Sequence, residues 1–165
     1  MDVKKLESEH VESFRTIRLQ ALEQVPKAFA ASFEEEADKP IAFFEDQLLS
    51  GSCFYGLFNH GGELVGIVSL TRSKLKKMKH KASIGSVFIK KEERGKGMAK
   101  ALLQYAMESA KNEGVEQIQL VVAANNQKAK QLYESLGFKT YGYEKRALKL
   151  DQVYLDEEHM VKIVK

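Results

Sequence analysis

The sequence predicts an α/β protein built on a mixed sheet, with residues 1–165 forming one domain. Three observations carry that reading. Stretches of strand-like alternation trade places along the chain with stretches of helical spacing, so strands and helices interleave. A β-branched and aromatic run, Val87-Phe88-Ile89, stops at a charged turn and a glycine-spaced loop, and an amphipathic helix opens at once behind it. The composition, 44% hydrophobic and 30% charged, suits a chain of 165 residues that buries a real core.

Val3 to Leu6 reads as a short first strand. Val11 to Val25 is a helix in which Phe14, Ile17, Leu19 and Leu22 fall roughly on one side. Pro26 and Pro40 break the next region, which carries Glu34-Glu35-Glu36 in a loop before a second helix over Ile41 to Leu49. Cys53 to Phe58 and Glu63 to Leu70 form a hairpin around Asn59-His60-Gly61-Gly62. Ser83 to Ile89 is the strand before the glycine-spaced loop. The helix after that loop runs from Met98 to Asn112, and Gly114 ends it. Ile118, Leu120 and Val122 alternate in a fifth strand. Asn125 or Asn126 then caps a helix whose Ala129, Leu132, Tyr133 and Leu136 share a buried face. Lys128, Lys130, Gln131 and Glu134 face water, and Gly137 stops the helix. Thr140 to Lys149 and Val153 to Val164 read as a final hairpin. The order is β-α-α-β-β-β-α-β-α-β-β.

The loop Arg94-Gly95-Lys96-Gly97 sits where a strand hands over to a helix, and that arrangement builds an anion cradle. The first helical N–H groups lack intrahelical partners, the helix dipole adds partial positive charge, and glycines let the backbone approach a phosphate. Two common phosphate loops fail on spacing. A Walker A loop continues Gly-Lys-Ser/Thr, whereas Gly97 is followed by Met98 and Ala99. A dinucleotide fingerprint needs a small residue where Lys100 stands. What remains is Arg-x-x-Gly-x-Ala at Arg94, Gly97 and Ala99. It resembles the pyrophosphate-binding motif of the GCN5-related N-acetyltransferase (GNAT) superfamily. Asn-x-x-Ala-x-x-Leu-Tyr-x-x-x-Gly-Phe, beginning at Asn126, resembles the second motif of that superfamily at every marked position.

The resemblance extends over essentially the whole chain and implies the GNAT fold, acetyl-coenzyme A as donor and an amine as acceptor. Backbone groups of Val87, Phe88 and Ile89 are then expected to line up with the pantetheine arm, with Gly85 marking a bulge that exposes them. Backbone N–H groups of Arg94, Gly95, Lys96, Gly97, Met98, Ala99 and Lys100 are expected to hold the pyrophosphate. The side chains of Lys90, Lys91, Arg94, Lys96 and Lys100 would screen its charge. Asn126 would touch the cofactor arm or cap the helix beside it. Tyr133 takes the position of the general acid that protonates the departing thiolate. No metal is implied.

The acceptor's proton is a separate problem. An alkylamine with a pKa near ~10.4 is ammonium at neutral pH and needs a base. Many GNAT relatives carry a glutamate on the strand corresponding to Ser83–Ile89, and this strand has none. Glu34, Glu35, His80, Glu157 and His159 are the open candidates. A noncatalytic acyl-CoA-binding or sensory module is the competing reading of the same cleft. The acceptor itself stays open between small molecules and protein or peptide amines. Arg15-x-x-Arg18-x-x-Ala21 with Pro26-x-Ala28-Phe29, and the segment from Val153 to Lys162, resemble parts that flank the acceptor cleft in bacterial members.

Other function classes find little support. The basic stretch from Lys74 to Lys81 lacks interleaved aromatics and the net charge is only +3, so it reads as a solvated turn, not a nucleic-acid surface. Recognition of an acidic substrate is its second reading. No apolar run is long enough to cross a bilayer, the longest strictly apolar one being Leu120 to Ala124. Cys53 is the only cysteine and reads as a small buried hydrophobe. The expectation is a cytoplasmic protein. A homodimer fits the resemblance, although no coiled-coil seam in the sequence demonstrates one.

Overall fold

The computed structural model describes every residue from Met1 to Lys165. Its elements are β1 (Asp2–Lys5), α1 (Val11–Gln24), α2 (Phe33–Glu36), α3 (Ile41–Leu49), β2 (Ser52–Phe58), β3 (Leu64–Arg72), β4 (Lys81–Ile89), α4 (Met98–Asn112), β5 (Gln117–Ala123), α5 (Gln127–Ser135), β6 (Lys139–Leu150) and β7 (Val153–Ile163). The expected order is therefore present, with one addition. Residues 33–36 form the short helix α2, where the sequence alone predicts a loop. Ser32 caps it by accepting from the Glu35 amide, while the Glu35 carboxylate accepts from the Ser32 amide, so a reciprocal capping box closes a single turn.

Seven strands form one mixed sheet in the order β1-β2-β3-β4-β5-β7-β6. Every neighbouring pair is antiparallel except β4 and β5. Helices cover both faces. On one face Phe14, Ile17 and Leu22 of α1 and Phe44 and Leu48 of α3 pack on Phe54, Ile67 and Phe88 of the sheet. On the other, Leu102, Leu103, Ala106 and Ala110 of α4 and Tyr133 of α5 pack on Val68, Ile84, Ile118, Leu120 and Met160. The alternating burial of Ile118, Leu120 and Val122 comes directly from the period of two along a strand. No helix is long and apolar enough to cross a membrane.

Strand β4 is irregular on both of its edges. Its pairing with β5 covers only Lys81, Ala82 and Ser83, opposite Gln117, Ile118 and Gln119. Beyond Ser83 the two parallel strands have no paired residues, and a slot opens in the middle of the sheet. On its other side, β4 pairs Gly85 with Ser69 and Phe88 with Ile67, so Ser86 and Val87 together stand opposite Val68. This is a bulge. The extra residue reverses the alternation: Ile84 faces α4, yet Phe88 faces α1, which strict alternation would forbid. The bulge falls on Ser86, not on the expected Gly85. Ser86 takes a left-handed φ of 50°, a conformation usually left to glycine.

Candidate active site

The slot is walled by β4 from Ile84 to Ile89 and by β5 from Leu120 to Ala123. Ser86 and Val87 have no register partner on either side of their strand. On the edge facing β5, where strand pairing ends at Ser83, this backbone is open to a ligand lying along β4. Val87 packs against the α4-side cluster, as do Met98 and Ala99 at the start of α4, and Ile89 and Tyr133 are members of it. Phe88 points to the opposite face.

At the C-terminal end of β4 the chain turns through Lys91–Glu93 into the glycine-spaced loop. Gly95 and Gly97 adopt left-handed φ values of 77° and 75°, and a Cβ at either would meet nothing within 4 Å. Backbone conformation, not crowding, demands glycine there. The first intrahelical bond of α4 runs from the Ala101 amide to Gly97 O at 3.1 Å. No side chain caps the helix. The amides of Met98, Ala99 and Lys100 are thus left without intrahelical partners, as an anion cradle requires.

The charged side chains around the loop divide into occupied and free. Arg94 turns back: its Nε donates to Ile89 O at 2.8 Å, and its guanidinium lies 5.5 Å from the Phe88 ring centroid. It ties the loop to the end of β4 and contributes structure first. Lys90 pairs with Glu63, and Lys96 with Glu93 at 2.9 Å. Lys91 and Lys100 are exposed and make no ion pair.

Helix α5 borders the slot from the α4 side. Asn126 caps it, accepting from the Ala129 amide at 3.1 Å, which decides between Asn125 and Asn126. Lys130 does not face water as its helical position predicts. It reaches Glu158 of β7 at 2.9 Å and pins α5 to the sheet. The Tyr133 ring is buried, edge-on to Phe138 at 6.2 Å, and its hydroxyl has no hydrogen-bond partner within the protein. Burial pushes the Tyr133 hydroxyl up to about 12.

The opposite face of the slot is polar. Met160 and Glu158 of β7 face α4 and α5, so Glu157 and His159 project to the other side, and Glu157 is paired with Ala123 of β5. Burial, and then the neighbouring Glu144 carboxylate, push the Glu157 carboxyl above the ordinary glutamate range. His159 Nε2 meets Glu144 at 3.0 Å. On the β4 side of the same face, Arg18 of α1 grips Glu36 of α2 with Nε to Oε2 at 2.9 Å and Nη2 to Oε1 at 3.1 Å, and gives Nη1 to Ser86 Oγ at 3.0 Å. Phe29 stacks on the Arg18 guanidinium at 5.4 Å. The turn at Pro26–Ala28 lies against β5.

Known proteins share this fold. A family model for the acetyltransferase (GNAT) family matches residues 14–138. The chain belongs to that family. A stretch of 56 residues is 41% identical to GCN5-related N-acetyltransferase 6, chloroplastic, of Arabidopsis thaliana, covering 34% of this chain and 19% of that protein. Among solved structures, ribosomal-protein-alanine N-acetyltransferase of Brucella melitensis matches with a TM-score of 0.81 and 21% identity, over 99% of this chain and 100% of that one. The structure of yncA from Salmonella typhimurium with its cofactor acetyl-CoA matches at a TM-score of 0.81 and 17% identity, over 100% of this chain and 94% of that one. Similarity at that identity speaks for the fold.

As a GNAT acetyltransferase, the protein has no carboxylate on β4, and the structure sorts the alternatives. His80 precedes β4 at the end away from the glycine loop, about 20 Å from the bulge at ~3.3 Å per strand residue. It is too remote. The basic stretch lies at that same end, where Arg72 fastens the turn by donating to Lys79 O at 2.7 Å and Glu113 O at 2.9 Å. Glu34 is exposed on α2, and Glu35 is spent in the capping box, whose hydrogen bonds hold its carboxyl below the usual range. Glu157 and His159 alone flank the slot. Sequence reasoning missed Arg18, Glu36 and Ser86 as a unit. Arg18 falls within a recognisable motif, but nothing in the sequence ties it to Glu36 or to the strand.

Proposed function

We propose that this GNAT acetyltransferase, acting as one domain over residues 1–165, carries an acetyl group from acetyl-CoA directly to a primary amine of a small molecule or of a protein or peptide. One observation carries the reading: a slot whose inner strand is unpaired toward β5 beyond Ser83 leads to a loop whose left-handed glycines and unpaired amides form an anion cradle. The acetyl-CoA named for the Salmonella relative supports the choice of donor. The open space above Gly95 and Gly97 suits a pyrophosphate. When bound, acetyl-CoA supplies an activated thioester carbonyl.

The chain's residues divide the work. The amides of Gly95 to Lys100 hold the pyrophosphate, with Lys91 and Lys100 as the free cations beside them. Backbone groups of Val87, Phe88 and Ile89 align the pantetheine arm, and an N–H at the bulge polarises the carbonyl. Glu157 takes the proton from the attacking ammonium; its raised pKa brings it closer to the task than an ordinary carboxylate. The amine nitrogen bonds to the carbonyl carbon as the carbon–sulfur bond breaks. Tyr133 offers its proton to the departing sulfur. A phenol at about 12 is a weaker acid than a thiol near ~8.5, so Tyr133 shares its proton in a hydrogen bond that stabilises the thiolate, and solvent completes the transfer. Acid and base thus stand on opposite faces of the sheet.

Free-thiol release from acetyl-CoA across a panel of amines, amino acids, polyamines and peptides tests the proposal, with Tyr133→Phe as control. Amine-dependent release that the variant loses is the expected result. Tight binding without release for any amine favours the sensory reading, which the absence of a β4 glutamate also favours.

A further inference from the structure

We propose that the buried Arg18–Glu36 pair is a positioning device that holds the β4 bulge in its reactive conformation. The inference rests on the transferase reading. Arg18 is 8% exposed and Glu36 is 4% exposed, so both charges have left water. A buried ion pair of this kind brings little net stability compared with apolar packing of the same volume. Gln47 adds a donor to Glu36 Oε1 at 2.8 Å, and its own carbonyl oxygen is left sealed without a partner. Such an arrangement is poor as a stability device. Its geometry serves something else.

That geometry converges on one residue. The two parallel bonds to Glu36 fix the plane of the guanidinium, and Phe29 covers it. The remaining Nη1 then has one direction, and it meets Ser86 Oγ at 3.0 Å. Ser86 is the bulge residue with φ of 50°, an orientation that is strained for any residue but glycine. It has no register partner in β3 or in β5. Arg18 therefore supplies a side-chain tether to this unregistered residue, from a helix 68 positions away in sequence. Glu36 has each oxygen engaged by cationic or amide donors, so it orients Arg18 and is not the base. Arg18 and Glu36 are positioning residues: they act on the thioester through the backbone at 86–87.

The test uses the full chain with acetyl-CoA labelled with carbon-13 at the thioester carbonyl. Isotope-edited infrared spectroscopy reads the carbonyl stretch of the bound donor, and kcat, KM and thermal melting are measured beside it. In the native protein the bound carbonyl is expected to shift to lower frequency than in water. In Ser86→Ala and Arg18→Lys the shift is expected to shrink and kcat to fall about 10- to 100-fold, as when one carbonyl donor is displaced, with acetyl-CoA KM held within about twofold. Glu36→Gln keeps the shape, so an intermediate loss is expected. A folded Ser86→Ala protein with native carbonyl frequency and native kcat overturns the positioning role. Native protein that binds no acetyl-CoA, or binds it with an unshifted carbonyl, overturns the transferase reading and this inference with it. Should Arg18→Lys fail to fold, Ser86→Ala, which keeps the buried pair intact, decides alone.

Discussion

Tyr133 joins a ring sealed in the core to a hydroxyl without a partner, a combination that leaves a proton ready for an incoming atom. Because burial holds its pKa up at about 12, the group stays protonated throughout any practical pH range. Tyr133 therefore adds no alkaline limb to the rate profile below about pH 11. Tyr133→Phe is expected to lower turnover about 10- to 1000-fold while coenzyme A binding and melting temperature stay near native, measured by thiol release and calorimetry. In the proposed reaction Glu157 governs the acid side. Its working form is the carboxylate, and its pKa lies above the ordinary value, so activity falls as pH drops through that raised value. Glu157→Gln is expected to lower kcat and to remove this limb from the pH–kcat profile; a limb left in place would assign it elsewhere.

At the level of elements, the glycine loop lies at one end of the slot and the bulge along its wall, and they are not equally legible. Val87-Phe88-Ile89 before Arg94-Gly95-Lys96-Gly97 announces strand, turn and helix because each step has a local cause: β-branching, left-handed glycine, then amphipathic spacing. The Gly97→Ala variant forces a Cβ into a φ of 75° and is expected to cost about 1–2 kcal/mol of stability and to weaken coenzyme A binding, read by titration calorimetry. Helix α2 has a local signal that the loop expectation passed over, since Ser32-Phe33-Glu34-Glu35 spells a capping box. Other features lie beyond any local pattern. A left-handed serine at 86 has no propensity behind it; contact with a distant helix holds it there. Lys130 looks solvent-facing by helical spacing and is drawn in only because β7 brings Glu158 beneath it. Arg94 matches a phosphate motif, yet its side chain donates to Ile89 O and lies over the Phe88 ring.

Across the whole molecule, two apolar clusters on opposite faces of one sheet carry the fold. Phe14 is fully buried between α3 and the sheet, so Phe14→Ala is expected to cost about 3–5 kcal/mol, measured by urea unfolding. The sheet itself is two blocks, β1–β4 and β5–β7–β6, whose direct strand pairing is confined to the residues beside Lys81, Ala82 and Ser83. A strand rim with unmet N–H and C=O groups ordinarily lies at the outside of a sheet, where it invites another chain to add on. Here two such rims face each other inside the protein. Those facing rims are an internal invitation to mispairing, and a donor lying between the blocks would act as a missing rung. Refolding from denaturant with coenzyme A present should accordingly recover more monodisperse protein than refolding without it.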